Sequence, residues 1–168
     1  MNQRTTSAGR AWIVLLALGV VAGARAQDCT LDGNPACGTA INLGTIAGDA
    51  SGAAITRSGV GEAHFYVRIR ETSSGSRALT ARVQLASPPG VDYELVLRCA
   101  SCSGTAIPFT KAGAGATESA AVTRPDTWTD NSFLLFIEVR HYSGASCAPW
   151  TLTIYGNTAP VTGALSCS

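Results

Sequence analysis

Apolar and polar residues alternate along five segments of the chain, and this alternation constrains the fold more than any other feature. The segments are residues 64–70, 79–85, 93–99, 133–139 and 150–154. A period of two is typical of a β-strand with one buried face. Weaker strands are predicted at residues 41–46, 54–57, 107–110 and 118–122. No segment after the first 26 residues has an apolar face of helical period, so the domain is predicted to be all-β.

Turn-forming residues separate these segments, as in residues 48–52 and 88–90. Glycine and proline supply the backbone angles of tight turns, and aspartate and serine can bond their own backbone there. Eight or nine short antiparallel strands therefore predict a β-sandwich or jelly roll. Leu134 and Phe136 lie opposite the inward set of their own segment, which predicts a central strand that is covered on both sides.

The first 26 residues have the parts of a secretory signal peptide. A basic lead that contains Arg4 and Arg10 precedes a short apolar run, and the segment closes on a small-x-small site at residues 24–26. The run is too short to span a bilayer, for which about 18 continuous apolar residues are needed. We expect cleavage after Ala26 and a single domain at residues 27–168, secreted from the cell or located in the periplasm. An uncleaved amphipathic anchor is the alternative.

The charge of the domain argues against two kinds of partner. Residues 27–168 carry nine basic and eleven acidic side chains, and Lys111 is the only lysine. Nucleic-acid binding requires a clustered basic stripe, and none is present. The same deficit disfavours anionic membrane surfaces, and no membrane insertion is expected. The sequence leaves the oligomeric state open.

The six cysteines predict three disulfides, because an even count is typical of an exported chain. They are Cys29, Cys37, Cys99, Cys102, Cys147 and Cys167. A local bond between Cys99 and Cys102 is expected to tighten a turn. A zinc site at these cysteines is disfavoured because the chain has no second C-x-x-C. For the others we favour Cys37–Cys147 and Cys29–Cys167. The local alternative is Cys29–Cys37 with Cys147–Cys167.

Several strand and turn motifs resemble those of the bacterial pre-peptidase C-terminal domain. They are residues 36–38, 43–46, 59–67, 90–95 and 150–154. Within this family the chain resembles small secreted single-domain relatives, which have a C-x-x-C after the strand that corresponds to residues 93–99. The resemblance covers residues 37–156. It implies a β-sandwich that acts as a non-catalytic accessory or binding module, commonly beside secreted hydrolases.

The resemblance does not carry a calcium site to this chain. Some members of the family hold calcium through an acidic stretch near the N-terminus. Here that region has only Asp28, Asp32, Asn34 and Asp49, without a clear ligand pattern. No cofactor is therefore expected.

No catalytic constellation is recognisable. His64 lies on the polar side of a strand and His141 at a strand end, and the chain has no G-x-S-x-G turn or H-E-x-x-H motif. Glu94 and Glu138 could form a glycosidase pair only on neighbouring strands. We prefer the interpretation that these carboxylates pair with arginines on the solvent-facing side of a sheet. The candidate arginines are Arg68, Arg82, Arg98 and Arg140.

The loop at residues 124–131 is the candidate ligand-binding site. Trp128 could stack on a sugar ring, while Asp126, Asp130 and Asn131 could bind hydroxyls. The same three oxygen donors could hold calcium. Structural roles in shaping the loop are the competing interpretation. A second hypothesis is a flat binding face formed by a ladder of side chains, namely Tyr66, Arg68, Arg70, Arg82 and Arg98, if their strands adjoin.

The sequence thus predicts an exported, disulfide-linked module without catalysis of its own, which binds a surface glycan or an extracellular protein. Three alternatives stay open. They are a small hydrolase, an inhibitor that presents the turn at residues 88–90, and a structural protein of the envelope.

Overall fold

The computed structural model describes residue 34 and residues 36–73, 77–107, 111–127, 129–158 and 164–167. The predicted leader, Cys29 and Trp128 lie outside these residues. A short 3-10 helix, Cys37–Thr39, precedes ten strands: β1 (Ile41–Ala47), β2 (Ile55–Gly59), β3 (Ala63–Arg70), β4 (Leu79–Ala86), β5 (Val91–Cys99), β6 (Ala106–Ile107), β7 (Thr117–Arg124), β8 (Phe133–Gly144), β9 (Trp150–Gly156) and β10 (Leu165–Ser166). Over this part of the chain, a helix with the length and apolar character of a membrane span is absent.

The ten strands of the described residues form two five-stranded sheets. Sheet A has the order β1-β3-β8-β5-β6, and sheet B has the order β10-β7-β4-β9-β2. Eight strands pair antiparallel with at least one neighbour, whereas β1 pairs parallel with β3 and β10 pairs parallel with β7. The long strand β8 is therefore the centre of sheet A, and β4 is the centre of sheet B.

The core lies between the two sheets and is built from the alternating residues of each strand. In β4 the buried side chains are Leu79, Ala81, Val83 and Leu85, and in β8 they are Phe133, Leu135, Ile137 and Val139. Burial of such side chains is worth roughly 1.5–3 kcal/mol each. The period of two in the sequence thus corresponds to one face of each sheet.

Trp150 anchors one end of the core. Its side chain is 1% exposed, and its ring packs edge-on against Phe65 with centroids 5.9 Å apart. The indole Nε1 donates to the carbonyl of Gly61 at 2.8 Å, so its polar atom is satisfied. Gly59 leaves room for the ring, because a Cβ at this position would lie 2.6 Å from it.

Side chains from β7 and from the residue after β4 complete the edge of β5. The short strand β6 pairs only with Leu97 and Arg98 of β5. The backbone N–H of Leu95 instead donates to Glu118 Oε2 at 2.5 Å, and that of Tyr93 donates to Ser87 Oγ at 3.1 Å. Buried backbone donors need such partners, so Glu118 and Ser87 act here in place of a neighbouring strand.

The prediction of an all-β sandwich is confirmed, with three differences. The described residues contain ten strands because two-residue strands such as β10 lack a detectable alternation. Two pairings are parallel, and each of them involves an edge strand, β1 or β10. The expectation that the strand of Leu134 is covered on both sides was wrong: β8 is central, but Leu134 is 37% exposed because nothing in the described chain covers it.

The predicted disulfide pairing is corrected by the structure. Cys37 is bonded to Cys102, and Cys99 is bonded to Cys167. Cys147 is also disulfide-bonded, and none of the described cysteines is free. The Cys99–Cys102 pair was wrong, as were Cys37–Cys147, Cys29–Cys167 and the local alternative, because Cys37 and Cys167 have other partners.

The direction of the Cys99 side chain explains the correction. Cys99 continues the inward set of β5 and packs against the core, where it meets the end of sheet B. Cys102 follows a reversal at Ala100, whose φ is 64°, and lies beside the 3-10 helix. The two cysteines of the C-x-x-C therefore attach to different parts of the fold.

Candidate functional site

The strand register brings aromatic side chains together on the outer face of sheet A, the face that points away from the core. Tyr66 of β3 lies opposite Phe136 of β8, and Phe136 lies opposite Arg98 of β5. The two rings are 5.7 Å apart between centroids and tilted by 34°. They form a pair because alternation directs both side chains outward from adjacent strands.

A second row extends this surface. Arg68 of β3 lies opposite Leu134 of β8, one outward position beyond the aromatic pair. Tyr66 and Phe136 are half-buried, whereas Leu134 is exposed. We call Tyr66, Phe136 and Leu134 the aromatic platform. Contiguous apolar side chains on a solvent-facing sheet are typical of an interaction surface.

A charged cluster follows the platform along β8. It consists of Arg98, Glu138 and Arg140. Arg98 Nη1 contacts Glu138 Oε2 at 2.6 Å, while Arg140 Nε and Nη2 contact Oε1 at 2.8 and 2.7 Å. Burial by itself raises the pKa of Glu138, but the two guanidinium groups outweigh it and lower this pKa below its ordinary value. The carboxylate is therefore ionised.

The far end of β8 carries an exposed aromatic residue, Tyr142. The register with β5 shifts between Asp92 and Tyr93, which leaves Tyr142 as an extra residue in β8. Such a bulge redirects a side chain. Tyr142 is 61% exposed, and Lys111 Nζ lies 5.0 Å from its ring centroid. Lys111 also contacts Glu94 Oε1 at 2.7 Å, so Tyr142 belongs to the same outer face.

The predicted loop site is only partly at this surface. Asp130 is exposed, accepts from the Ser132 N–H at 2.9 Å and lies 3.5 Å from Arg68 Nη2. Hydrogen bonding from Ser132 lowers the pKa of Asp130. Trp128 lies outside the described residues, so its predicted stacking role stays a prediction.

Asn131 and Asp126 are more buried than Asp130. Asn131 is 3% exposed, donates from Nδ2 to the carbonyl of Pro125 at 2.8 Å, and donates its N–H to Glu71 Oε2 at 3.1 Å. Asp126 is half-buried and its Oδ1 is enclosed. The structure thus brings Asp130 to the edge of the platform, whereas Asn131 is buried and joins the loop to Glu71 at the end of β3.

The predicted ladder is assembled on one sheet except for one member. Tyr66, Arg68 and Arg70 extend outward from β3, and Arg98 does so from β5. Arg82 lies in β4 of sheet B, where its guanidinium covers the ring of Tyr155 at 4.9 Å. Sequence reasoning had no means of pairing Tyr66 with Phe136, because the register between β3 and β8 is not visible in either strand alone.

The two histidines and the two strand glutamates all have structural partners. His64 Nδ1 lies 3.2 Å from the carbonyl oxygen of Asn34, and His141 Nε2 lies 3.0 Å from that of Gly144. Glu94 and Glu138 lie on adjacent strands, as a carboxylate pair requires, but Glu138 is bound by arginines and Glu94 by Lys111. The expected pairing with arginines is confirmed for Glu138, although its side chain is only 12% exposed, while the partner of Glu94 is a lysine.

Two other expectations concern metals and the turn at residues 88–90. In the described ranges, no three His, Cys, Asp or Glu side chains are placed to hold a metal ion together. Pro89 and Gly90 are exposed in a tight turn closed by the Val91 N–H and the Pro88 carbonyl at 3.2 Å, whereas Pro88 is buried.

No family model and no curated protein matches the chain. The chain is similar to the pre-peptidase C-terminal domain of a collagenase from Bacillus anthracis, at 12% identity and a TM-score of 0.41, over 69% of this chain and 94% of that chain. The family is the one that the sequence motifs resemble.

Proposed function

We propose that this chain is an exported, non-catalytic module that binds an extracellular glycan on the outer face of sheet A. The observation that carries the proposal is the partly exposed pair of rings, Tyr66 and Phe136, on two adjacent strands at the centre of a sheet. The disulfides fit an oxidising compartment, which is consistent with export.

The chemistry of the platform suits a sugar. The C–H-rich face of a pyranose packs on an aromatic ring, and its hydroxyl groups need hydrogen-bond partners at the ring edge. Arg68 and Asp130 supply a donor and an acceptor beside the platform. Strands β3 and β8 are fixed by pairing on both sides, so the rings are held before the ligand arrives.

The loop at residues 124–131 is proposed to flank this surface. Asp130 already reaches Arg68, and the sequence predicts that Trp128 stacks on a sugar. A contribution of Trp128 would add a third aromatic contact to the platform. This part of the proposal depends on the loop alone and can fail without the platform failing.

A glycan-binding screen with matched variants tests the proposal. Loss of one stacked ring, in Tyr66→Ala or Phe136→Ala, should weaken binding by between about twofold and about tenfold. Tyr155→Ala, on the outer face of sheet B, is the control and should bind like the parent. Equal binding by all three variants, or no glycan binding by the parent, would refute the proposal. Trp128→Ala tests the loop separately.

A further inference from the structure

We infer that the glycan is a linear polysaccharide that crosses the strands of sheet A and is bound through the interior of its chain. This inference rests on the proposed function and adds the direction of the ligand and the class of polymer. Its basis is a row of outward side chains that reaches from one edge of sheet A to the other.

The row contains one outward residue from each strand of sheet A. Residues directly opposite one another in a sheet point to the same face, so the register sets its members in line. They are Asn42 of β1, Tyr66 of β3, Phe136 of β8, Arg98 of β5 and Ala106 of β6. We call them the cross-strand row. All five are at least partly exposed.

The spacing of the cross-strand row suits consecutive sugar units. Neighbouring strands lie about 4.8 Å apart, which is close to the distance by which an extended pyranose chain advances per unit. The rings of Tyr66 and Phe136 are 5.7 Å apart between centroids, so two consecutive units can each stack on one ring. The five strands therefore offer contacts to about four or five units.

Polar groups flank the ring pair within the row. Asn42 is exposed, and its Oδ1 accepts the Gly44 N–H at 2.8 Å, which fixes the amide group that carries the Nδ2 donors. On the other side, Arg98 is fixed by its contact with Glu138 at 2.6 Å. Sugar hydroxyls need such partners at the edges of the aromatic contact, and a fixed partner costs less to order on binding.

The row continues to both edges of the sheet, because β1 and β6 are the outermost strands of sheet A. Asn42 at one end is exposed, and Ala106 at the other end is exposed and small. A polymer can therefore extend beyond the row in both directions. Recognition of a chain end would instead need a side chain that blocks one end of the row.

The direction along β8 is less suitable for the ligand. The next outward residue after Phe136 is Glu138, whose carboxylate is shared by Arg98 and Arg140. The charges of this region balance one another; the cations are Arg98, Arg140 and Lys111, and the anions are Asp92, Glu94 and Glu138. A sugar chain along β8 would leave the aromatic pair for side chains that already have partners.

Oligosaccharides of increasing length test the inference. The probes are cello-, xylo- and chito-oligosaccharides, each titrated against the full chain. In at least one series, affinity should rise with length up to about four or five units and then level off. Reduction of the reducing end with borohydride should leave the affinity of the longest oligomers unchanged, because the interior of the chain is what binds.

Variants at the two directions test the path of the ligand. Asn42→Ala should weaken binding of the longest oligomers by between about twofold and about tenfold, the loss of one hydrogen bond. Asn42→Ser should weaken it as well; its hydroxyl can still accept the Gly44 N–H, so this variant separates lost reach from a local distortion. Tyr142→Ala, farther along β8, is the control and should bind like the parent. Far-UV circular dichroism checks that the variants keep the fold.

The outcomes separate the two proposals. Parent-like binding by either Asn42 variant, or weaker binding by Tyr142→Ala, overturns the direction across the strands. Affinity that does not depend on length, or that is lost when the reducing end is reduced, overturns binding of the chain interior. If the parent binds another glycan but none of the three series, the inference fails and the proposed function stands. If no glycan binds, both fail.

Discussion

Glu118 and Asp49 are buried acids whose environments act in opposite directions on their pKa values. Burial raises the pKa of Glu118, and the hydrogen bonds from the Leu95 and Ala112 N–H groups only partly offset this effect. Burial also raises the pKa of Asp49, but hydrogen bonds from Thr72 and Ser73 outweigh it and lower this pKa. The two residues therefore give the stability of the fold opposite pH dependences.

Substitution of Glu118 by glutamine should change how stability depends on pH. With its raised pKa, folded Glu118 binds a proton more readily than the unfolded chain does, so its contribution falls as pH rises from below 4.5 through the raised value. The free energy of unfolding of the parent relative to Glu118→Gln should therefore decline as pH rises above 4.5. Urea denaturation at several pH values measures this difference, and a flat difference would contradict the assignment.

Asp49→Asn should show the reverse trend. The carboxylate accepts from two backbone N–H groups and two hydroxyls, and asparagine can replace only one of its oxygens as an acceptor. The variant should lose about 2 kcal/mol near pH 7. Because the pKa of Asp49 is lowered, this difference should shrink as pH falls below 3.8. A loss that does not change with pH would mean that the charge is unimportant.

Among the elements, β10 depends most on a covalent bond. It contains two residues, pairs with Val122 and Thr123 of β7, and is followed by Cys167, whose N–H donates to the Thr123 carbonyl at 2.8 Å. The Cys99–Cys167 disulfide joins this strand of sheet B to β5 of sheet A. The bond therefore links the two layers of the sandwich at one end.

Replacement of both Cys99 and Cys167 by serine should cost about 4 kcal/mol, a loss typical of a bridge that closes a long loop. The matched comparison is replacement of both Cys37 and Cys102 by serine. The Cys37–Cys102 bond spans 65 residues and the Cys99–Cys167 bond spans 68, so the two bonds close loops of similar length. It should cost less, because Cys167 is buried and Cys37 is exposed. Denaturation midpoints compare the two, and an equal or reversed order would show that the link between the sheets has no special role.

The sequence predicted elements better than it predicted the connections between them. Strands with a strong local alternation, such as β3 and β4, were found nearly to the residue, because burial of one face leaves a periodic signal. The parallel partner of β10 and the cysteine pairs were missed, since they depend on which strand ends meet in space. The platform was half-predicted: Tyr66 was identified, but its neighbour Phe136 follows from a register that only the structure supplies.

At the scale of the whole molecule, the two outer faces differ in character. The outer face of sheet A carries the aromatic platform and the charged cluster. The outward positions of sheet B include small hydroxyl residues, such as Ser58 and Thr151, and the ring of Tyr155, which Arg82 covers. The proposed glycan contact is therefore expected on the side of sheet A rather than on that of sheet B.

Adjacent leucines of β8 should therefore respond differently to the same change. Leu135→Ala removes a fully buried side chain and should cost about 2–5 kcal/mol. Leu134→Ala, on the outer face, should change stability by less than about 1 kcal/mol but should weaken glycan binding. Thermal denaturation and the binding assay measure both effects. A large stability loss at Leu134 would mean that the platform is part of the structural core.

The completed edge of β5 has a consequence for contacts between molecules. A strand with free backbone donors can add a strand from another copy, which is a common start of aggregation. At Tyr93 and Leu95 those donors are already engaged by Ser87 and Glu118, so a second chain would have to displace a buried carboxylate before it could pair there. The protein can thus expose apolar rings on sheet A while this border of the sheet resists self-association.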